Sequence, residues 1–170
     1  MRRRSIWMAT GLLTTAAAVS YVGLVLATPA SGFLGTTIAV GRFDAIDVAN
    51  RDGGAHEGRP WHSRQKTKGA SDLYVQNNVW APGGTTGWHT HPGHSLIIVT
   101  AGAVTAYEGD DPSCTPHVYT VGMGIVDEGG DHVHVLRNEG AVEARTVAVQ
   151  LIPAAAPRRV DAPGNAACPF

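Results

Sequence analysis

The residues most able to carry chemistry are histidines, and six of the eight fall between residues 89 and 134. Four of them form two pairs of the same form, His89-Thr90-His91 and His132-Val133-His134. In a β-strand, residues two apart point to the same face, so each pair presents two imidazoles side by side. Neutral imidazole is a ligand for Zn, Fe, Cu and Ni. If the two strands face each other, the pairs predict a metal site that loses its metal below about pH 6.

Short strands separated by turns are the elements that would position these histidines. Runs rich in β-branched and apolar residues recur at intervals of roughly 8–12 residues, with Gly and Pro between them. No segment after residue 30 has helical periodicity, which favours an all-β sandwich or barrel. The predicted strands are Thr37–Val48, Leu73–Trp80, Thr86–His91, Ser95–Thr100, Val104–Glu108, His117–Val121, Gly124–Asp127, His132–Arg137 and Ala144–Leu151, with a loop over Ala49–Gly58.

The remaining histidines and two aromatic residues have simpler interpretations. His56 and His62 lie in a polar stretch and are expected to be solvated, and His117 follows a proline and is expected to be structural or exposed. Tyr107 lies on a predicted barrel strand and is expected to have a packing role. Trp88 has the opposite parity to His89, so we expect it to point away from the metal and to pack against the N-terminal strand or a second subunit.

The spacing of these residues resembles two motifs of the cupin superfamily. Gly83, His89, His91 and Gly102 match the first motif, Gly-x5-His-x-His-x3/4-Glu-x6-Gly, and His134 with Asn138 match the end of the second. The resemblance covers about Leu73 to Pro153 and implies a single antiparallel double-stranded β-helix, or jelly-roll barrel. It also implies that His89, His91 and His134 bind one divalent transition metal, such as Fe, Mn, Zn or Ni, in the barrel mouth.

The departures from the motifs concern the fourth ligand. The motif glutamate falls on Ser95, which is a poor ligand, and the Pro and Gly of the second motif are missing. The site is therefore either a three-histidine site with open positions or one completed by another side chain. Three neutral imidazoles would leave a divalent ion with a charge near +2, which favours an anionic or enolisable bidentate ligand. The candidates for a further ligand are His94, His132, Glu108 and Glu128.

The N-terminus predicts export. Arg2, Arg3 and Arg4 precede a largely apolar stretch from Ile6 to Leu26, and small residues follow, with cleavage expected after Ala27 or Ala30. An uncleaved anchor is the alternative, because 21 residues of helix can cross a bilayer core of about 30 Å. Residues 1–30 are thus a signal peptide or anchor helix, 31–70 an N-terminal strand and loop, 71–154 the barrel, and 155–170 a tail. Only an uncleaved segment would make the protein a membrane partner.

Composition and cysteine content agree with an exported domain. The formal net charge is −1 and three of the 13 basic residues lie in the first four positions, which excludes a basic nucleic-acid-binding surface. In an exported chain the two cysteines, Cys114 and Cys168, are expected to form a disulfide that ties the tail to the turn around Asp110–Pro116.

The function expected from the resemblance is metal-dependent binding of a small molecule. Three-histidine cupins include iron oxygenases, and other cupins are isomerases, lyases or non-enzymatic binding proteins, so oxygenase-type chemistry is the leading enzymatic prediction. A non-catalytic ligand-binding or structural cupin at the cell surface is the alternative, since a fold does not determine a function. Cupins frequently dimerise, and a homodimer is expected on that ground.

Overall fold

The structure is a computed structural model that describes residues 28–52 and 60–170. Almost all of the predicted signal or anchor segment, and His56, lie outside these residues. Within them no helix is long and apolar enough to cross a membrane. The described chain forms twelve strands, which are β1 (Ser31–Phe43), β2 (Asp47–Asp52), β3 (Trp61–Lys66), β4 (Ser71–Thr85), β5 (His89–Thr90), β6 (Ser95–Ala101), β7 (Ala103–Glu108), β8 (His117–Thr120), β9 (Gly124–Asp127), β10 (His134–Arg137), β11 (Ala144–Pro153) and β12 (Val160–Asp161).

Ten of these strands form one antiparallel sheet that curls into a nearly closed barrel. The central path runs β12-β5-β10-β4-β11-β6-β9, with β1 paired to β4, and β7 paired to both β10 and β8. This arrangement agrees with the predicted all-β jelly-roll barrel. Strands distant in sequence become neighbours, so the barrel brings the two histidine-bearing regions to the same place.

The N-terminal region differs from the predicted strand Thr37–Val48. Here β1 begins earlier, at Ser31, and ends at Phe43, because it pairs along almost the whole of β4. The chain then bends, and the amide of Ile46 donates to Thr67 Oγ1 at 2.9 Å while the amide of Thr67 donates to the Ile46 carbonyl at 2.8 Å. After these two hydrogen bonds, β2 and β3 form a separate two-stranded sheet. The first residues of the predicted loop Ala49–Gly58 therefore belong to β2.

Inward-facing apolar side chains fill the barrel as strand alternation requires. Trp80 on β4 and Val104 on β7 are fully buried, and Ile97 on β6 and Ile125 on β9 face them from the other side of the core. Burial of each such side chain contributes about 1.5–3 kcal/mol to folding. This core closes one part of the barrel, and the polar residues of the site lie beyond it.

A sharp bend at Gly87 separates β4 from the short strand β5. Its φ is +66°, and a Cβ at this position would lie 2.0 Å from the Thr28 carbonyl oxygen. Only glycine tolerates both the backbone conformation and the close approach. The predicted continuous strand Thr86–His91 is therefore reduced to His89–Thr90, with Trp88 in the bend.

Trp88 packs beneath the C-terminal tail instead of against the N-terminal strand. It forms a small core with Tyr107, Val135 and Cys168, and its ring stacks on Phe170 with an interplanar angle of 3° and centroids 6.4 Å apart. As expected, Trp88 points away from the histidines and Tyr107 has a packing role, here in the small core beneath the tail, where its hydroxyl donates to the exposed Glu139 at 2.8 Å.

Asn138, the last residue of the second motif, holds a loop together. It is 1% exposed, and its Nδ2 donates to the carbonyl oxygens of Trp80 at 3.1 Å, Ala81 at 3.2 Å and Val142 at 2.8 Å. Its Oδ1 accepts from the Gly140 amide at 3.0 Å. An apolar residue here would leave several buried polar groups without partners, which costs about 1–3 kcal/mol for each group.

The tail is attached covalently. Cys114 and Cys168 form a disulfide with a Cα–Cα distance of 5.3 Å across 54 residues of sequence. Asn165 adds two hydrogen bonds, donated by its Nδ2 to the carbonyl oxygens of Glu108 at 3.0 Å and Asp111 at 2.7 Å. The tail thereby covers Trp88 and one side of the barrel.

Removing this cross-link is expected to destabilise the protein by about 4 kcal/mol, because a closed loop of this length restricts the unfolded chain. The measurement is denaturant unfolding of the parent and of the double variant Cys114→Ser/Cys168→Ser. Adding reductant should lower the parent to the level of the variant and leave the variant unchanged. Equal unfolding free energies for parent and variant in oxidising buffer would contradict the prediction.

Candidate metal centre

Three histidines of the two motifs meet at one point in the barrel. His134, the first residue of β10, pairs directly with His89 on β5, and His91 follows one residue after that strand ends. The ring centroids lie 4.5 Å apart for His89 and His134, 4.7 Å for His89 and His91, and 5.6 Å for His91 and His134. One nitrogen from each ring lies within 4.8 Å of the other two.

Two of the rings are oriented by backbone carbonyl oxygens. His89 Nδ1 lies 2.8 Å from the Gly87 carbonyl oxygen, and His91 Nδ1 lies 2.5 Å from that of Arg158. A carbonyl oxygen only accepts, so each Nδ1 carries the proton and each Nε2 keeps a lone pair in the neutral ring. Backbone acceptors of this kind commonly fix the tautomer of metal-binding histidines.

The third ring has a nitrogen without a partner. His134 is almost fully buried, and its Nδ1 has no hydrogen-bond partner. A buried polar atom in this state is rare and calls for an explanation such as an ion. The donor set, three imidazoles with two of them held as Nε2 ligands, fits a divalent transition metal.

The antiparallel barrel and the meeting of both motifs inside it decide the fold family. The fold is that of the cupins. The chain matches no protein-family model and no curated protein.

Solved structures similar to this chain match part of its length. An oxalate oxidase is 22% identical over 48% of this chain and 46% of its own, with a TM-score of 0.41, so this chain spans about half of that protein. A predicted oxalate decarboxylase from Thermotoga maritima is 16% identical over 50% of this chain and 83% of its own, with a TM-score of 0.40. A cupin-superfamily sugar phosphate isomerase from Silicibacter pomeroyi is 21% identical over 46% and 49%, also with a TM-score of 0.40.

Burial keeps the histidines neutral. Desolvation, with a smaller effect of the neighbouring His134, lowers the pKa of His89 from 6.5 to about 2. Desolvation likewise lowers the pKa of His134 to about 4, and the Asp127 carboxylate opposes part of that shift. Neutral rings have the lone pair that metal coordination requires, so this cluster is prepared for a cation at neutral pH.

Sequence reasoning missed Asp127, the last residue of β9. It is 4% exposed and lies beside the cluster, with its Oδ2 3.4 Å from His91 Nε2 and its Oδ1 3.5 Å from His134 Nδ1. Ser95, which occupies the motif glutamate position, donates from Oγ to Asp127 Oδ2 at 2.9 Å. A signal was present, since strand alternation places Asp127 on the same inward face as Ile125.

His132 does not join the three histidines. The strand begins at His134, so His132 lies in the preceding turn and not in the predicted strand, although its ring lies beside that of His134 with centroids 6.3 Å apart. Its Nε2 lies 3.0 Å from Glu108 Oε2, while one of its nitrogens comes within 4.8 Å of donor atoms of Asp127 and His134. It therefore borders the site next to Asp127 and His134.

The other candidate ligands lie elsewhere. His94 is half-buried and Glu128 is exposed, and neither belongs to a group of potential metal ligands in the described part of the chain. His117 is exposed, as expected. His62 is also exposed, although it lies on β3 and not in a loop.

A cavity of about 260 Å³ opens beside the histidines. Its polar wall includes amide side chains and two arginines, and its apolar floor is the barrel core. The lining residues are Phe33, Gly35, Gln76, Asn78, Trp80, Thr86, His89, His91, Ser95, Ile97, His134, Leu136, Ala148, Gln150, Arg158 and Arg159.

The buried histidines predict how the metal-free protein responds to acid. Unfolded histidine takes up a proton near pH 6.5, whereas His89 and His134 stay neutral until about pH 2 and about pH 4 in the folded state. Their contribution to stability is complete above pH 6.5 and is lost as the pH falls below it, by about 1.4 kcal/mol per pH unit for each residue.

The measurement is denaturant unfolding in the presence of a chelator between pH 7.5 and pH 4.5. His89→Gln should flatten the dependence, and His62→Gln, on an exposed strand, should leave it unchanged. A free energy of unfolding that does not change across this range would refute the assignment of buried neutral rings.

Proposed function

We propose that this chain is an exported mononuclear metal-binding cupin that binds a small molecule beside the metal. His89, His91 and His134 would hold one divalent transition metal, and Fe, Mn, Zn and Ni all accept imidazole ligands. The observation that carries the proposal is the orientation of two Nε2 lone pairs by backbone carbonyl oxygens, next to a buried third ring. A bound cation of this kind polarises an oxygen donor of the ligand as a Lewis acid.

The charge of the cavity supports an anionic ligand. Every ionisable side chain that lines it, among the described residues, is an imidazole or a guanidinium. The Arg158 guanidinium donates to Gln150 Oε1 at 3.0 Å, to Thr37 Oγ1 at 2.7 Å and to Gln76 Oε1, all neutral acceptors. No carboxylate of the described chain lies within ion-pair distance of Arg158, so its charge adds to that of the metal.

The cavity size limits the ligand to a small molecule. A volume of about 260 Å³ lies near the lower end of typical ligand sites. A small carboxylate or enolisable dicarbonyl matches both the volume and the charge. Two oxygen donors of such a ligand can bind one metal together.

Oxygenase-type chemistry is the enzymatic form of this proposal, with isomerase or lyase chemistry as the related classes. The second candidate is a non-catalytic binding protein, since the imidazoles, guanidiniums and amides that line the cavity can hold an anion without turnover. Uptake of dioxygen by the iron-loaded protein with a bound dicarbonyl supports the enzyme. Tight ligand binding without uptake supports the binding protein.

Export is part of the proposal. The basic and apolar N-terminal sequence supports it, and a disulfide between Cys114 and Cys168 is consistent with an oxidising compartment. Residues 1–30 would act as a cleaved signal or as an anchor that makes the membrane a partner. A homodimer is proposed on the resemblance to cupins alone.

Replacing any ligand should abolish tight metal binding. His89→Ala, His91→Ala and His134→Ala each remove one of three imidazoles, and we expect at least a hundredfold loss of zinc affinity. Metal analysis and competition titration with a chelator measure the effect. His117→Ala is the matched control, because His117 is exposed. Stoichiometric zinc binding that survives in all three variants would remove the basis of the proposal.

Replacing Arg158 should weaken anion binding. In Arg158→Gln the uncompensated charge is lost, while the backbone carbonyl that orients His91 remains. We expect about a tenfold rise in the Kd of oxalate, the smallest bidentate dianion, for the zinc-loaded protein. Isothermal titration gives the value. Arg145→Gln, an exposed arginine paired with Glu143, is the control, and equal effects of the two variants would count against an anion site.

A further inference from the structure

The carboxylate that the first motif lacks is present one strand away. Ser95 on β6 and Asp127 on β9 are direct partners in the antiparallel pair, and both are buried. Directly opposed residues project from the same face of a sheet. Ser95 is too short to reach a cation between the histidines, and its small side chain leaves room for the carboxylate of its cross-strand neighbour.

The contacts of Asp127 place each of its oxygens beside a histidine. Oδ2 lies 3.4 Å from His91 Nε2 and accepts from Ser95 Oγ at 2.9 Å. Oδ1 lies 3.5 Å from His134 Nδ1 and accepts from the Gly129 amide at 3.0 Å. Two donors from the protein thus fix the carboxylate in place, and the remaining lone pairs face the imidazoles.

The spacing of Asp127 and His91 fits donors that share a cation. Asp127 also has a donor atom within 4.8 Å of those of His132 and His134. Neighbouring ligand atoms around one metal lie about 3 Å apart when each bond is about 2.1 Å long. The 3.4 Å between Asp127 Oδ2 and His91 Nε2 is close to this value. His91 Nε2 has the lone pair of its ring, because His91 Nδ1 donates to the Arg158 carbonyl. Two lone-pair atoms that face each other in a buried site need a proton or a metal cation between them.

The charge of Asp127 requires a partner. A buried carboxylate is normally paired with a cation or bound to a metal. No lysine or arginine among residues 28–52 and 60–170 lies within ion-pair distance of Asp127, and its only charged or titratable neighbours at that distance are His91 and His134. A metal ion held by those same histidines would supply the missing positive charge.

We propose that Asp127 is the carboxylate ligand of the metal centre, reaching the cation from β9 in place of a glutamate at position 95. This inference rests on the proposed metal site of His89, His91 and His134. Ser95 then orients the carboxylate instead of coordinating. The charge of the loaded site becomes +1 instead of the +2 expected for three histidines alone. The loaded site then attracts an anionic ligand less strongly than a three-histidine site would.

The test compares removal of the carboxylate with its relocation. Asp127→Asn keeps the shape and the acceptor but loses the charge, and Asp127→Ser removes both. The double variant Ser95→Glu/Asp127→Ser returns a carboxylate to the first-motif position. Glu128→Gln is the matched control, because Glu128 is the exposed neighbour of Asp127. The measurements are zinc affinity by chelator competition and the visible spectrum of the Co²⁺-loaded protein.

We expect Asp127→Asn and Asp127→Ser to lose more than a hundredfold in zinc affinity and to change the Co²⁺ spectrum. The relocated carboxylate should restore the affinity to within tenfold of the parent, and Glu128→Gln should match the parent. Thermal unfolding of the metal-free forms checks folding. If the single variants do not fold, the double variant carries the test alone.

Two results would overturn the assignment. A loss of less than tenfold in a folded Asp127→Asn would show that the carboxylate does not bind the metal. A double variant that folds but binds zinc no better than Asp127→Ser would show that Asp127 only positions His134. If Asp127→Ser does not fold, a folded double variant that binds no zinc would show the same. Both outcomes differ from failure of the metal site itself, in which the parent protein would bind no zinc.

Discussion

The pairing of the two-residue strand β5 with β10 is the contact on which the site depends. It places His134 directly opposite His89, 45 residues earlier in the sequence. The register of β10 is fixed independently by β7, whose residues Thr105–Glu108 pair with Arg137–His134. A slip of one residue would turn His134 to the other face of the sheet. The pairing of β10 with β7 therefore fixes the position of His134 opposite His89, which the short strand β5 could not fix alone.

Parity along a strand was enough to predict part of this arrangement. It correctly placed His89 and His91 on one side and Trp88 on the other, and the recurrence of short strands with Gly and Pro between them led to the all-β barrel. These features depend on neighbours in sequence, which is why a single sequence contains them. For His132 the predicted strand boundary was wrong, because β10 begins two residues later than its apolar pattern indicates.

Features that arise from strand pairing were not predictable. Asp127 and Ser95 are 32 residues apart, and only the register of β9 against β6 brings them together. The split of the predicted strand Thr37–Val48 likewise follows from contacts between Ile46 and Thr67. The carboxylate is thus absent from the motif in sequence and present beside it in space, so motif matching alone underestimates the acidic character of the site.

The carbonyl of Arg158 that orients His91 lies outside the barrel strands, in the segment leading to β12. That segment continues into the tail whose end is joined to Cys114. The long strands of the barrel end at Pro153, whereas the residues that orient the candidate metal ligands extend to Arg158. A barrel ending at Pro153 would keep β1 to β11 but would lose β12, which pairs with β5, and the carbonyl that orients His91. A domain boundary drawn at the last long strand would therefore discard a carbonyl that the candidate metal centre uses.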